Sequence, residues 1–441
     1  MSRRSHSRSN VGVLFLIFLV GTLAIWVFGT RATFSRTAAG SPQLVSVQPL
    51  PEMGPEGELC PWEPASTTTT LRAELASERG AAAADLPDGG PSVAIDRKPE
   101  RIIHDSYATY SAIALDLQSD EVFLQDENLF GIKIFNRMDN TPPNMKFTEP
   151  KRLLGGSKTK LEFNCGLYID PKTGDVYSVN NDTTDLLIVF PHSAQGDMAP
   201  TRELHTPHGT YGISVDEAAQ ELYLTVEHSN SIVVYPKMAK GEEKPLRTIQ
   251  GSKTLLADPH GVGLDTKDGW MFVTNHGNYR SGPEPSPGKF LPASINVYPL
   301  KGSGDLAPLR SIQGPKTQLD WPAQAWVDEE HGEVYVANDG ADSILVFKAT
   351  DDGDVAPSRV IRGAKTQIKN PTGVFLDTKH DELWVSNMGN HRATVFERTA
   401  NGDAAPKRAI RSAPADKLAM AIGNPGAVGY DSKRDEILVP N

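Results

Sequence analysis

A unit of 46 to 63 residues recurs along this chain, and no other feature restricts its fold so tightly. The clearest copy, residues 371–410, reads PTGVFLDTKHDELWVSNMGNHRATVFERTANGDAAPKRAI. An apolar stretch (GVFLD) passes through a short polar turn into an alternating one (ELWVSN), then a third (TVFER) and, after GDAAP, a fourth (KRAI). Short stretches with period-two alternation read as strands, and nothing between them is long enough for a crossover helix. An aspartate closes the first stretch of every copy: Asp116, Asp170, Asp216, Asp265, Asp328, Asp377 and Asp431. Periods of about 40–50 residues belong to propellers and solenoids. A four-stranded sheet with two apolar faces must stack on neighbours, and radial repetition does this while leaving only short edges. The expected fold class is therefore all-β, a β-propeller of four-stranded antiparallel blades over residues 99–441.

Turn chemistry supports the strands. Gly196-Asp197, Gly304-Asp305, Gly353-Asp354 and Gly402-Asp403 lie between third and fourth stretches, where glycine supplies positive φ and aspartate local hydrogen bonds. Pro200, Pro308, Pro357 and Pro406 follow, and proline is tolerated on an edge, so the fourth strand is the outer one. Seven marker aspartates imply seven blades. The seventh copy offers only EILVPN (436–441) after its marker, while PERIIH (99–104) resembles a fourth strand such as PSRVIR (357–362). That segment is expected to join the last blade and latch the ring. Six blades with a loose terminal unit is the alternative, and a chain truncated at Asn441 is another.

Residues 11–29, VGVLFLIFLVGTLAIWVFG, are uncharged throughout. A helix rising 1.5 Å per residue over this run approaches the roughly 30 Å thickness of a bilayer core. Arg3, Arg4 and Arg8 precede it and Arg31 and Arg36 follow, a modest bias towards a cytoplasmic residue 1–10 segment with the rest outside the cytoplasm. An uncleaved membrane anchor is expected, with secretion after signal cleavage as the alternative, since a signal's apolar core usually runs only about 7–15 residues. Residues 37–98, rich in Ala, Pro, Gly, Ser and Thr, hold too few large apolar side chains to offset ordering entropy and read as a disordered tether. All basic residues before position 37 are these five arginines and no acid accompanies them, so the net charge of −11 becomes −16 beyond them. An acidic chain without a basic run argues against nucleic acid as a partner. Two cysteines, Cys60 and Cys165, exclude a disulfide scaffold and a four-cysteine zinc module, and their pairing stays open.

The order IxGxxTxL, PxG, Asp, E(L/V)(W/Y)V, SN or AN, VF, GD, AP and Arg, repeated at constant spacing, resembles bacterial NHL-type β-propellers from about residue 99 onwards. The resemblance implies the fold. It spans interaction modules, lactonases of the gluconolactonase type, lyases of the virginiamycin B type and peptidyl-amidating lyases with a histidine-bound metal, so it does not choose an activity.

Side chains that recur in every blade are assigned to the fold. The marker aspartates cap the first hairpin turn, and Asn180, Asn275, Asn338, Asn387 and Asn441 close second strands. Arg202, Arg247, Arg310, Arg359 and Arg408, on outer strands, read as ion-pair partners. Departures from the repeat are more informative. His260 stands at the strand-one entry of blade four, His228 and His276 open the second-to-third loops of blades three and four, and His208 lies in the entry crossover of blade three. These positions share one face of an up-and-down blade, so four of the eleven histidines should gather on two adjacent blades. Cys165, Tyr211 and His260 are successive entries near the channel mouth, and Glu227 precedes His228. The longest loop, 276–294, lies on the same face and suits an ordered lid or a partner-binding arm.

Neutral imidazoles beside a carboxylate suit a divalent metal, zinc, calcium or magnesium, and three protein ligands with an open position would permit water activation. The PHG strings at 207–209 and 259–261 are similar to the amidating-lyase entries that supply metal histidines. Two functions are expected from these features. One is a membrane-tethered binding module for an envelope protein, peptide or glycan, with His208, His228, His260, His276 and Cys165 on its binding face. The other is a metal-dependent lyase or lactone hydrolase, with His208, His228, His260 and His276 as metal ligands and His260, Tyr211 and Glu227 as catalytic candidates.

Overall fold

The computed structural model describes residues 101, 103 and 110–439, apart from 127–128, 163, 182, 280–288, 379, 391 and 411–426. The expected membrane span 11–29, the tether 37–98 and Cys60 lie outside these residues. No helix among the described residues is long and apolar enough to cross a membrane.

Each copy of the repeat folds into an antiparallel sheet whose strands pair in sequence order. Six sheets are four-stranded, with first strands Tyr110–Asp116, Asn164–Ile169, Thr210–Asp216, Pro259–Asp265, Pro322–Asp328 and Pro371–Asp377. Successive first strands pack on one another, as the innermost strands of a propeller must. Between blades the apolar faces interlock. Tyr177, Val179 and Leu187 of blade two, for example, meet Leu222, Leu224 and Val233 of blade three in one buried cluster.

Among the described residues the expectation of seven blades gives way to its alternative, six complete blades with a terminal unit. The seventh copy forms a two-stranded sheet, Gly429–Asp431 with Glu436–Leu438. Arg101 and Ile103, the described residues of PERIIH, lie outside any sheet. Yet Arg101 pairs with Glu436, and Ile103 packs with Leu438 against Val122, Leu124 and Phe135. The terminal hairpin stands between blades six and one, its first strand touching the first strands of both.

Charges tie this seam. Arg137 of blade one, with 1% of its side chain exposed, reaches Asp431 at 2.5 Å and also pairs with Glu436, while Lys433 and Arg434 reach back to Asp120. The same device joins blades two and three, where buried Lys237 bridges Asp170 (2.7 Å) and Glu217 (2.5 Å). The marker aspartates also cap their turns as expected. Asp170 accepts the Lys172 N–H at 2.7 Å, and Asp431 accepts that of Lys433 at 2.9 Å.

The Gly-Asp loops act at longer range than local turn chemistry suggests. Asp197, Asp305, Asp354 and Asp403 accept the backbone N–H of Lys158, Lys253, Lys316 and Lys365, respectively, each in the preceding blade and at 2.6–2.7 Å. The glycines bridge the outer strand of that same preceding blade. Each loop is thus a clasp between blades.

Three outer-strand arginines pair with the start of the second strand in their own blade, whereas Arg202, expected as an ion-pair partner, donates to the Tyr177 hydroxyl at 2.8 Å and the Lys237 carbonyl at 2.7 Å because Val176 starts that strand. Arg152 grips Glu121 (2.6 and 2.7 Å), Arg247 grips Glu221 (3.0 and 2.7 Å) and Arg359 grips Glu333 (2.6 and 2.9 Å). Where Trp270 replaces the glutamate, Arg310 lies over the indole at 4.1 Å. Burial would raise Glu121, but Arg152 and Lys151 outweigh it and hold this carboxyl at about 2; Arg247 holds Glu221 at about 2 as well. Both values are depressed from 4.5, so the pairs contribute stability above pH 4.5 and lose it as pH falls towards 2. The melting temperature should drop across that window, and Glu221→Gln should flatten the drop; a curve unchanged by the substitution would remove this pair from the acid response.

Candidate functional site

The blades share an irregularity that aims side chains at the channel mouth. Pairing between first and second strands slips near the strand-one entry in every four-stranded blade, for example between Asn164 and Gly166 and between Pro259 and Val262. Such bulges turn a residue out of the regular pleat. Cys165, Tyr211 and His260 occupy this position in blades two, three and four.

In blade four the entry crossover and the second-to-third loop are clamped together. The Asn275 side chain accepts the Ala257 N–H at 3.0 Å, the His276 N–H donates to the Asp258 carbonyl at 3.1 Å, and the Gly277 N–H donates to the Ala257 carbonyl at 3.0 Å. From blade three, the Asn230 side chain accepts the Asp258 N–H at 2.9 Å. Asp258, His260 and His276 are thereby fixed beside one another. Asn180, Asn338 and Asn387 hold the entries of their own blades in the same way. The recurring asparagines are therefore clamps for the loops that carry the site.

The imidazoles of His260 and His276 stack with centroids 3.5 Å apart at 21°. Tyr211 lies against His260 at 4.6 Å and Trp321 against His276 at 4.8 Å, so four rings form a row. His260 Nε2 is 2.9 Å from Glu227, and its Nδ1 is 3.2 Å from the Asp258 carbonyl and 3.6 Å from the Asp258 carboxylate. Burial disfavours the charge on His260, but Glu227 and Asp258 outweigh it and raise its pKa above the ordinary histidine value. His276 goes the other way. Burial and then the neighbouring His260 push it down to about 3, leaving a neutral ring, and its buried Nε2 has no hydrogen-bond partner among the described residues.

These groups line a cleft of about 180 Å³ with His228, Asn278 and Trp321. One ligand atom each from Asp258, His260 and His276 lies within 4.8 Å of the others. Of the residues expected from sequence, His260, His276 and Glu227 meet here directly, Tyr211 buttresses His260, and His228 is on the wall. His208 stands aside, its ring tilted at 60° against His228 with centroids 4.8 Å apart and paired with Asp185 at 2.8 Å with half its side chain exposed. Cys165 is half-buried on the first strand of blade two, outside the cleft lining.

Two residues escaped the sequence reading. Asp258 carries a donor of the cluster, and its signal was the acid immediately before the PHG string. Trp321 sits at the same pre-proline place in the next blade. The long loop of blade four adds a two-stranded ribbon, Asn278–Tyr279 with Lys289–Phe290, whose Phe290 is 81% exposed.

Two other places invite comparison. Asp377, His380 and Asp435 also cluster, but blade five repeats the His–Asp contact as His331–Asp328 (2.8 Å), a turn feature of the repeat. A larger open cleft of about 690 Å³ beside Lys133, Lys151 and Arg152 has its cations engaged by Asp126 and Glu121.

No family model matches the chain, and no curated protein matches it. Among solved structures, Kuenenia stuttgartiensis hydrazine synthase aligns with a TM-score of 0.51 at 11% identity, covering 77% of this chain and 96% of that one. A functionally unknown protein from Desulfotomaculum acetoxidans DSM 771 aligns with a TM-score of 0.49 at 11% identity, covering 76% and 90%. At such identity the hydrazine synthase likeness supports the propeller fold and nothing about chemistry.

Proposed function

We propose that this chain is a membrane-tethered, extracytoplasmic propeller of the NHL type that binds its ligand in the cleft between blades three and four, through a divalent metal ion held by Asp258, His260 and His276. The observation that carries this reading is the convergence of those donors around a neutral, buried and unpartnered His276 nitrogen. Two imidazoles and one carboxylate form a donor set that suits zinc better than calcium or magnesium, which favour oxygen ligands throughout. When bound, the ion would polarise an oxygen of the ligand.

The chain's own residues do the rest. Both His260 nitrogens face acceptors, so His260 must release a proton before it coordinates, and Glu227 is the group placed to accept or hold it. The Tyr211 and Trp321 rings brace the imidazole stack from either end. The residue 11–29 segment is the proposed anchor, and an envelope protein, peptide or glycan is the proposed partner class. Nucleic acid is not, given the acidic balance beyond the anchor.

A second reading is favoured by Glu227 itself, a carboxylate in the same cleft that could serve as a general base. With it the site would act as a metal-dependent lyase or lactone hydrolase. The common premise is tested by elemental analysis of the full chain purified without chelator. About one equivalent of zinc is expected, and less than about a tenth of an equivalent of any divalent ion would overturn the metal site.

A further inference from the structure

Trp321 occupies a backbone slot that the fold does not reserve for tryptophan. Asp258, Trp321 and Asn370 directly precede Pro259, Pro322 and Pro371, and all three take positive φ, 58°, 50° and 42°. In each case the carbonyl of this residue accepts the first N–H of its own blade's second-to-third loop, from His276, Asp339 and Met388, respectively. The fold thus needs the backbone conformation here and places no demand on the side chain. Aspartate and asparagine adopt the left-handed region readily, whereas a bulky indole adopts it at a cost. Strain of this kind persists where it serves a site.

The indole is 50% exposed, borders the cleft, and lies against His276. Around it stand hydrogen-bonding groups: the carboxylates of Glu227 and Asp258, the amide of Asn278 and the imidazole of His228. A flat aromatic face beside carboxylates and an amide suits a ring whose faces present C–H groups and whose edge presents hydroxyl donors. The cleft volume is about 180 Å³.

We infer that Trp321 is the stacking platform for one pyranose residue of a glycan, whose hydroxyls are read by Glu227, Asp258 and Asn278. This rests on the ligand-binding reading of the cleft, and the metal content of every sample separates the two. The left-handed slot also provides the control. Trp321→Asn installs the residue that blade six already uses there, so the folded ring should tolerate it.

The test uses the full chain in detergent on a printed array of bacterial-envelope and mammalian glycans. The parent should retain at least one glycan, and Trp321→Asn, compared with it at equal zinc loading, should weaken that signal at least tenfold with a melting temperature no lower than the parent's. A parent that binds no glycan, or a Trp321→Asn variant that binds as well as the parent, overturns the inference. Should Trp321→Asn melt lower, Trp321→Phe and Trp321→Leu decide, the first keeping most of the signal and the second losing it. Equal signals from those two also overturn it. Loss of zinc from parent and variants alike, with glycan binding still dependent on Trp321, would refute the metal reading and leave this one standing.

Discussion

Replacing Asp431 by asparagine should destabilise the ring by about 3 kcal/mol, the lower end of the cost of breaking a buried pair, because it leaves the buried Arg137 guanidinium with only the partly exposed Glu436. Both side chains are at most 1% exposed, and Arg137 approaches Asp431 at 2.5 Å. Asparagine keeps the size and can still accept the Lys433 N–H, so the turn cap survives and the lost charge is isolated. Burial already pulls Arg137 below its ordinary pKa, with Asp431 the main opposing influence. The measurement is urea unfolding of the full chain. Adding Arg137→Met to Asp431→Asn should recover much of the loss, since a buried pair can be replaced by apolar packing more cheaply than it can be broken. A cost below about 1 kcal/mol for Asp431→Asn would mean that the terminal hairpin does not close the ring through this pair.

The second large effect is on metal affinity. His276→Ala removes the neutral donor whose Nε2 is buried without a partner, and it should weaken zinc binding by more than about a hundredfold, the upper end of what losing a supporting residue alone costs. His260→Ala should do the same. His208→Ala should leave affinity unchanged, because His208 is engaged with Asp185 at the rim. Competition with a chromogenic zinc chelator gives all three numbers. Equal affinity in the parent and in His276→Ala would remove this residue from the site.

Much of the architecture was legible because a repeat multiplies weak signals. One apolar–turn–apolar pattern is ambiguous, but seven aspartates each closing a first strand leave little choice of element or order. Blade number was harder. A marker aspartate reports a first strand, and Asp431 has one, but a blade also needs a third and a fourth strand, which the marker does not report. The Gly-Asp loops were recognisable as turns, whereas their partners lie 38 to 52 residues away in another blade, and local turn rules carry no such information.

The site divides along the same line. His260, His276 and Glu227 were found as departures from the repeat, and the geometry of an up-and-down blade was enough to set them on one face. Their stacking order, and the opposite pKa shifts of two imidazoles 3.5 Å apart, depend on burial and on the approach of Glu227 and Asp258 to His260 alone. Asp258 was missed because an acid before a proline is an ordinary turn residue. Trp321 was missed because exposed aromatics are common singly, and its positive φ is a property of the folded backbone.

The most direct test of the proposed metal site is X-ray absorption at the zinc edge on the full chain, recorded for the parent and for His276→Ala at one equivalent of zinc. The parent should show first-shell nitrogen and oxygen at about 2.0–2.2 Å with the outer-shell scattering of two imidazoles, and the variant should lose one of them. A parent spectrum with no imidazole scattering, or one that His276→Ala leaves unchanged, would contradict zinc binding by Asp258, His260 and His276.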